Sequence, residues 1–213
     1  MSAQYDLRPL ARAMQEVLAK DMMTGAAPTS MLQAAIDALS VQQFGRSFAS
    51  GHSLPVCRYF EDGFDASEND VVGALCGSWA AMDWMQNPNY RDRPEMQDYR
   101  ADSGFCEICG PRGLIGNSAT SVGFLVMGPG LFYPSHSHPA AEAYFVISGA
   151  AQWWRAGHDW QINEPGSRIY HSPHQEHAMR TLDAPLLALY VWSGDLVTLP
   201  VVSGQPATTT YCE

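Results

Sequence analysis

Residues 130–149 read GLFYPSHSHPAAEAYFVISG, and this stretch decides the fold. It holds three potential metal ligands, His136, His138 and Glu142, within seven residues. Side chains two apart on a strand point to the same face, so both imidazoles can reach one ion, and Glu142 and Tyr144 share a face in the same way. Imidazole with carboxylate suits zinc or divalent iron, manganese, cobalt or nickel. The stretch therefore predicts one divalent metal ion bound inside a β-barrel.

The spacing of this stretch is stricter than the ligands alone require. Five residues separate Gly130 from His136, one separates the two histidines, three precede Glu142, and six lead to Gly149. At every fixed position the pattern resembles the first motif of the cupin superfamily. The resemblance implies an all-β cupin fold, which is a double-stranded β-helix or jelly-roll barrel.

A cupin site needs a fourth ligand from a later strand, and His171, His174 and His177 compete for that place. We favour His177, which follows Pro173 by four residues and opens an apolar segment. The second cupin motif resembles Pro-x-Gly-x-x-His, and this chain lacks the glycine and has a gap one residue shorter. His174 therefore stays an alternative ligand, and His171 could support a ligand or lie at the rim. Three histidines and one glutamate would leave coordination positions open, as in catalytic metal sites.

The bulk composition excludes some partners. The 213 residues carry a net charge of −10, which argues against nucleic acid and anionic membrane. No apolar run is long enough to span a bilayer, and the first residues lack the features of a signal peptide, so we expect a cytoplasmic protein. Five cysteines form no scaffold pattern, and we interpret the Cys106–Cys109 pair as ordinary reduced strand cysteines.

Periodicity divides the chain into a helical N-terminal extension, residues 1–103, and a cupin barrel, residues 104–213. Ser30 and Gln33 resemble a capping box for a helix through Leu39. A further helix is predicted to begin within Ser67–Asp70 and to end before Asn87, and residues 87–103 to form a loop. The apolar residues at helical spacing in the first helix are Leu7, Leu10, Met14, Val17 and Leu18.

From about residue 104 the apolar pattern changes to a period of two, which is typical of a sandwich or barrel of short strands. Turn residues separate these segments. The predicted strands are Phe105–Cys109, Ser121–Met127, Leu131–Ser135, Ala143–Ser148, Gln152–Arg155, His177–Arg180 and Leu186–Trp192.

Aromatic residues surround the predicted metal site. Tyr144 shares the face of Glu142, so its phenol should point toward the ion, and a nearby cation favours the phenolate. Tyr133 lies just before the first histidine. Aromatic faces can hold a sulfonium or quaternary ammonium group. Only one of Trp153 and Trp154 can face inward, and the sequence favours neither strongly; Trp154 is our candidate for the pocket. With it we expect Tyr170, Tyr190 and Trp192 to bind substrate.

Several stretches together resemble the cupin-type dimethylsulfoniopropionate lyases of marine bacteria. The Tyr-Pro before the first histidine and the Tyr two residues after the glutamate narrow the resemblance within the cupins. It covers about residues 90–196, and the helical extension looks like that of the group's longer members. The stretches are residues 105–111 (FCEICGP), 127–134 (MGPGLFYP), 136–144 (HSHPAAEAY), 172–181 (SPHQEHAMRT) and 185–194 (PLLALYVWSG).

The resemblance implies a carbon–sulfur lyase that acts on a small zwitterion by β-elimination. The substrate carboxylate would bind the metal, a Tyr144 phenolate would remove the α-proton, and dimethyl sulfide would leave acrylate behind. Tyr133 would position the substrate or share the role of base, and Trp192 would hold the sulfonium. Other candidates are a metal-dependent dioxygenase, a sugar isomerase and a non-catalytic ligand-binding cupin, which fold analogy cannot separate. Cupin sheets often pair, so a homodimer is plausible.

Overall fold

The structure is a computed structural model that describes residues 4–203 except 24, 26, 41–43 and 45–47. Within this part of the chain, five α-helices precede the main strands. They are α1 (Arg8–Met22), α2 (Thr29–Ala38), α3 (Tyr59–Asp62), α4 (Asp70–Cys76) and α5 (Gln97–Ala101). Single 3-10 turns at residues 55–58, 79–81, 88–90 and 94–96 connect them.

The strands form two facing sheets. The strands are β1 (Trp84–Met85), β2 (Ser103–Gly110), β3 (Ile115–Gly116), β4 (Ser121–Met127), β5 (Phe132–Ser137), β6 (Ala141–Ser148), β7 (Ala151–Arg155), β8 (Gln161–Asn163), β9 (Arg168–His171), β10 (His177–Thr181), β11 (Leu186–Ser193) and β12 (Val201–Val202). One sheet has the order β1-β2-β4-β11-β6-β9, with β3 beside β2, and the other has the order β12-β5-β10-β7-β8. Apart from β2 and β3, neighbouring strands pair antiparallel. This arrangement confirms the predicted cupin barrel with a helical extension.

The central strands of the larger sheet are buried on both faces. On β11, the even-numbered residues, such as Ala188 and Tyr190, belong to the core between the sheets. The odd-numbered residues, such as Leu187 and Leu189, belong to a second core with the N-terminal helices. Since successive strand residues point to opposite faces, a strand covered on both sides reads as a continuous apolar run. Helices α1, α2 and α4 therefore pack on the outer face of the larger sheet and leave its inner face to the site.

The first helix is confirmed, but the capping box at Ser30 and Gln33 is wrong. Helix α2 begins at Thr29 behind Pro28, without a side-chain cap. The amide of Gln33 instead donates to Asp37 one turn later, at 2.9 Å. The carbonyl of Pro28 already accepts the N–H groups of the first turn, so the helix begins without help from Ser30.

The helix predicted within Ser67–Asp70 does begin there, because the Asn69 side chain accepts from two backbone N–H groups of the first turn. Its predicted length is wrong, since α4 ends at Cys76. Gly77, a poor helix former, follows, and the Ser78 hydroxyl bonds back to the Ala74 carbonyl at 2.6 Å.

The loop predicted for residues 87–103 is also wrong, because it holds two 3-10 turns and α5. Tyr90, Met96 and Tyr99 of this segment are buried in the core between the sheets. Their burial against barrel residues, rather than local periodicity, fixes the segment.

All seven predicted strands exist. The apolar periodicity does not predict the short strands β1, β3, β8, β9 and β12. The boundary proposed between residues 103 and 104 falls at the start of β2, and β1 joins the larger sheet from the helical side. The cysteines of the described residues, Cys57, Cys76, Cys106 and Cys109, are free thiols. Among the described helices, none combines the length and apolarity needed to cross a membrane.

Candidate active site

Three of the predicted ligands meet inside the barrel. His138 follows β5, Glu142 lies on β6 and His177 opens β10. One ligand atom from each lies within 4.8 Å of the others, and all three side chains are buried. The site therefore draws on both sheets, at the end of the barrel where β5 turns into β6.

Local backbone groups orient the imidazoles of His136, His138 and His177. The Nδ1 atoms lie 2.8 Å from the Pro134 carbonyl, 3.0 Å from the Ala140 carbonyl and 2.9 Å from the Gln175 carbonyl, respectively. A carbonyl only accepts, so these contacts favour the tautomer in which Nδ1 carries the proton and Nε2 presents a lone pair. Metal-binding histidines are commonly held by this kind of outer hydrogen bond.

The donor set fits a divalent cation. The Nε2 atoms of His138 and His177 lie 3.1 and 3.4 Å from Oε2 of Glu142. With the proton on Nδ1, the Nε2 atoms and the carboxylate all offer lone pairs to a cation, and His177 Nε2 has no hydrogen-bond partner among the described residues. Burial alone would raise the pKa of Glu142, but His138 and His177 outweigh it and hold that pKa well below its usual value. The carboxylate is thus ionised and ready to bind a metal.

His136 lies beside this trio rather than within it. Its ring is centred 4.1 Å from that of His177 and 6.5 Å from that of His138. Burial and the neighbouring His177 lower its pKa well below the usual value, so the ring is neutral. His174 is exposed at a backbone φ of 61°, with its side chain outside the trio. Of the two alternatives for the fourth ligand, the structure brings His177 and not His174 to the site.

His171 packs against the trio through His177. Its ring stacks on His177 at a centroid distance of 3.9 Å, and both ring nitrogens lack partners among the described residues. Burial and the neighbouring His177 lower its pKa to about 2, so the ring is neutral. It is fully buried on β9, which excludes the rim position that the sequence left open.

Tyr133 belongs to a cluster of phenols on one side of the site. Its ring stacks on His136 at 3.7 Å and on Tyr99 at 4.0 Å, and its hydroxyl lies 2.8 Å from that of Tyr90. An irregularity in the pairing of β5 with β10 turns both Tyr133 and His136 inward, although they are three residues apart. The sequence pattern does not predict Tyr90 and Tyr99 as site residues, because they lie in the segment predicted to be a loop.

Tyr144 lies inward on β6, two residues beyond Glu142. Burial and the Glu142 carboxylate raise its pKa well above the usual 10. Trp192 pairs with Glu142 across β6 and β11, and its indole N–H donates to Glu142 Oε1 at 2.6 Å. The same indole stacks on His138 at 4.3 Å. Trp192 thus fixes the orientation of two of the three central ligands.

A cavity of about 60 Å³ opens beside these groups. Its inner wall includes Glu142, Tyr133, Tyr144, Tyr190 and Trp192. Of the four residues predicted to bind substrate, Tyr190 and Trp192 line this cavity.

Trp154 and Tyr170 do not line the cavity. Trp154 is only partly buried and packs near Trp160, whereas Trp153 is buried and faces Tyr144 at 5.8 Å. Tyr170 packs against the outer core with the helices, because β9 presents its even-numbered Tyr to the opposite face from His171.

A double-stranded β-helix with a buried His/Glu cluster at one end defines a cupin with a candidate metal centre. The dimethylsulfoniopropionate lyase family model matches residues 28–188 of the chain. The match covers most of the chain, including part of the helical extension and all the candidate metal ligands, so this protein belongs to the dimethylsulfoniopropionate lyase family.

Individual relatives agree with this assignment. Dimethylsulfoniopropionate lyase DddQ of Ruegeria pomeroyi is 38% identical over 99 residues, which cover 46% of this chain and about half, 49%, of that relative. The crystal structure of DddQ from Ruegeria pomeroyi DSS-3 matches 93% of this chain and 99% of its own, with 25% identity and a TM-score of 0.67. A crystal chain described with the DMSP lyases RdDddP and RnDddQII matches 92% of this chain and 98% of its own, with 25% identity and a TM-score of 0.69.

Proposed function

We propose that this protein is a metal-dependent dimethylsulfoniopropionate lyase that releases dimethyl sulfide and acrylate by β-elimination. The observation that carries the proposal is the shared cavity of Glu142, Tyr144 and Trp192, which joins the candidate metal centre to a phenol and an aromatic wall. Membership of the lyase family supports the choice of substrate.

The proposed ligands are His136, His138, Glu142 and His177, in agreement with three lone-pair-presenting Nε2 atoms and one ionised carboxylate. When bound, a divalent ion would supply Lewis acidity to the substrate carboxylate and so acidify the α-proton. The ion is zinc or divalent iron, manganese, cobalt or nickel, which this donor set suits.

Tyr144 is the proposed base for the α-proton. Tyr144 lines the cavity from β6, together with Glu142. Burial and the Glu142 charge oppose loss of the phenol proton, so turnover is expected only where that carboxylate charge is neutralised. Tyr133 is held by Tyr90 and His136, and this fixed phenol suits a positioning role or a shared role as base.

Aromatic faces around the cavity suit the sulfonium end of the zwitterion. Trp192 and Tyr190 are buried, line the cavity and lie 6.3 Å apart between ring centroids. A desolvated cation beside an aromatic face gains about 2 kcal/mol. We therefore assign sulfonium binding to these two residues and withdraw Trp154 and Tyr170 from the set.

Headspace gas chromatography tests this function directly. Purified protein loaded in turn with each candidate metal is expected to release dimethyl sulfide from dimethylsulfoniopropionate without oxygen, and chelated protein to release none. A dioxygenase would instead depend on oxygen, and a binding protein would take up the zwitterion without releasing gas. Folded, metal-loaded protein that yields no dimethyl sulfide with any of these ions would refute the lyase. A homodimer and a cytoplasmic location stay predictions from the sequence.

A further inference from the structure

Arg100 stands where the catalytic cavity meets solvent. It lies on the short helix α5 and lines the same cavity as Glu142 and Tyr144. The inner lining residues are buried, whereas Arg100, Gln86 and Pro200 are partly exposed, which marks their side of the cavity as the mouth. The guanidinium therefore lies on a solvent-facing side of the cavity lining.

The charge of Arg100 has no carboxylate partner among the described residues. Its Nη atoms contact two neutral oxygens, the Arg91 carbonyl at 3.3 Å and the Gln86 side chain at 3.4 Å. Its Nε is buried and lacks a hydrogen-bond partner in the described part of the chain. Arg93 and Arg112 differ from Arg100 in this respect, because they pair with Glu95 and Glu107.

A partly buried guanidinium with an unpaired buried donor lowers the stability of the fold but favours the binding of an anion. Buried donors without partners are costly, and a guanidinium presents its N–H groups in a planar fork that matches a carboxylate. We propose that Arg100 forms a carboxylate-binding site at the cavity mouth, separate from the metal ligands. Identification of that carboxylate as the substrate's on entry and acrylate's on exit rests on the proposed function.

A comparison of acrylate with acrylamide tests the site without any substitution. The two molecules have nearly the same shape, but only acrylate carries the charge that Arg100 would bind. Calorimetric titration of the chelated, metal-free chain is expected to give acrylate an affinity about tenfold above that of acrylamide, the effect of one charge-assisted contact. Equal affinities for the two molecules would overturn the proposal.

Substitution of Arg100 assigns the effect to this side chain. We expect Arg100→Gln to weaken acrylate binding about tenfold and to raise KM for dimethylsulfoniopropionate by a similar factor, with kcat changed less than about twofold. Arg100→Lys keeps the charge without the fork and is expected to raise KM about threefold. The matched control is Arg93→Gln, on the same segment but exposed and outside the cavity, which should change neither value.

The outcomes separate this inference from the proposed function. Suppose that neither the unsubstituted protein nor any variant releases dimethyl sulfide, but acrylate binding still depends on Arg100. That result would support the carboxylate-binding site and refute the lyase function. If turnover is normal while Arg100→Gln, shown folded by circular dichroism, leaves KM and acrylate binding unchanged, the lyase stands and the carboxylate site fails. A fall in kcat at constant KM would also overturn the proposal, because it would indicate a role after binding.

Discussion

Two groups of residues in the candidate site, one of histidines and one of tyrosines, are held in place in different ways. We call His136, His138 and His177 the histidine wall, and Tyr90, Tyr99 and Tyr133 the tyrosine wall. Every imidazole of the histidine wall is oriented by a backbone carbonyl two residues away in the sequence. The tyrosine wall is instead joined by a hydroxyl pair between residues 43 positions apart and by stacked rings from separate segments.

This difference teaches which part of the site is fixed locally. A strand or tight turn that places a carbonyl beside Nδ1 fixes the tautomer as soon as the local backbone forms. The tyrosine wall forms only when the segment around α5 docks on the barrel. The histidine wall should therefore respond to substitution by losing metal, and the tyrosine wall by losing turnover with the metal retained.

The largest effect is expected for His177→Ala. This change removes one nitrogen ligand from the buried trio, so the remaining ligands should bind a cation more weakly. Metal affinity is expected to fall by more than about a hundredfold, beyond the loss seen for outer partners of metal ligands, and dimethyl sulfide release to become undetectable. Metal content after gel filtration, measured by plasma mass spectrometry, is the direct readout.

His174→Ala is the matched control for this change, since His174 lies three residues away and is exposed. It should keep a full equivalent of metal and normal turnover. Loss of metal in the His174 variant and not in the His177 variant would reverse the assignment of the fourth ligand and show that β10 shifts when metal binds.

The same contrast explains how much of the site could be predicted. The spacing of His136, His138, Glu142 and Tyr144 is a local property, and the period of two predicted their shared inward face. His177 needed a long-range decision, yet its place at the start of an apolar strand was enough to favour it over the exposed His174. Tyr90 and Tyr99 were missed, because no local pattern shows that a proline-containing segment docks on β5.

The strand pattern correctly predicts that one of Trp153 and Trp154 faces inward, but Trp154 is the wrong one of the two. Strand geometry requires one of two neighbours to face inward, but the phase of β7 is set by its pairing with β10. Trp153 is opposite Met179, and both belong to the core between the sheets. Helix ends were predicted poorly for a similar reason, since the length of α4 depends on Gly77 and on packing against the barrel rather than on its apolar stripe.

A smaller but still large effect is expected for Tyr144→Phe, the sharpest test of the proposed base. Loss of a general base costs about 10²–10⁴ in rate, and kcat should fall in this range while bound metal stays at one equivalent. The ring stays in the core, so the free energy of unfolding should change little. Near-normal kcat in this variant would remove Tyr144 from the role of base and leave Tyr133 as the candidate.

The smallest effect is expected for Tyr90→Phe, which separates the tyrosine wall from the chemistry itself. The substitution removes one hydroxyl of the buried Tyr90–Tyr133 pair and keeps both rings, so the structure should lose about 1 kcal/mol of hydrogen bonding. If that bond positions Tyr133 for substrate, kcat should fall by roughly fivefold, which corresponds to about 1 kcal/mol in the barrier.

The matched control is Tyr59→Phe, whose hydroxyl bonds to Asp102 outside the cavity. Equal losses of stability with a rate change in Tyr90→Phe alone would assign the pair to catalysis. Unchanged kcat in both variants would mean that the tyrosine wall only packs the barrel. The two walls would then differ in how they are assembled and not in what they do in the reaction.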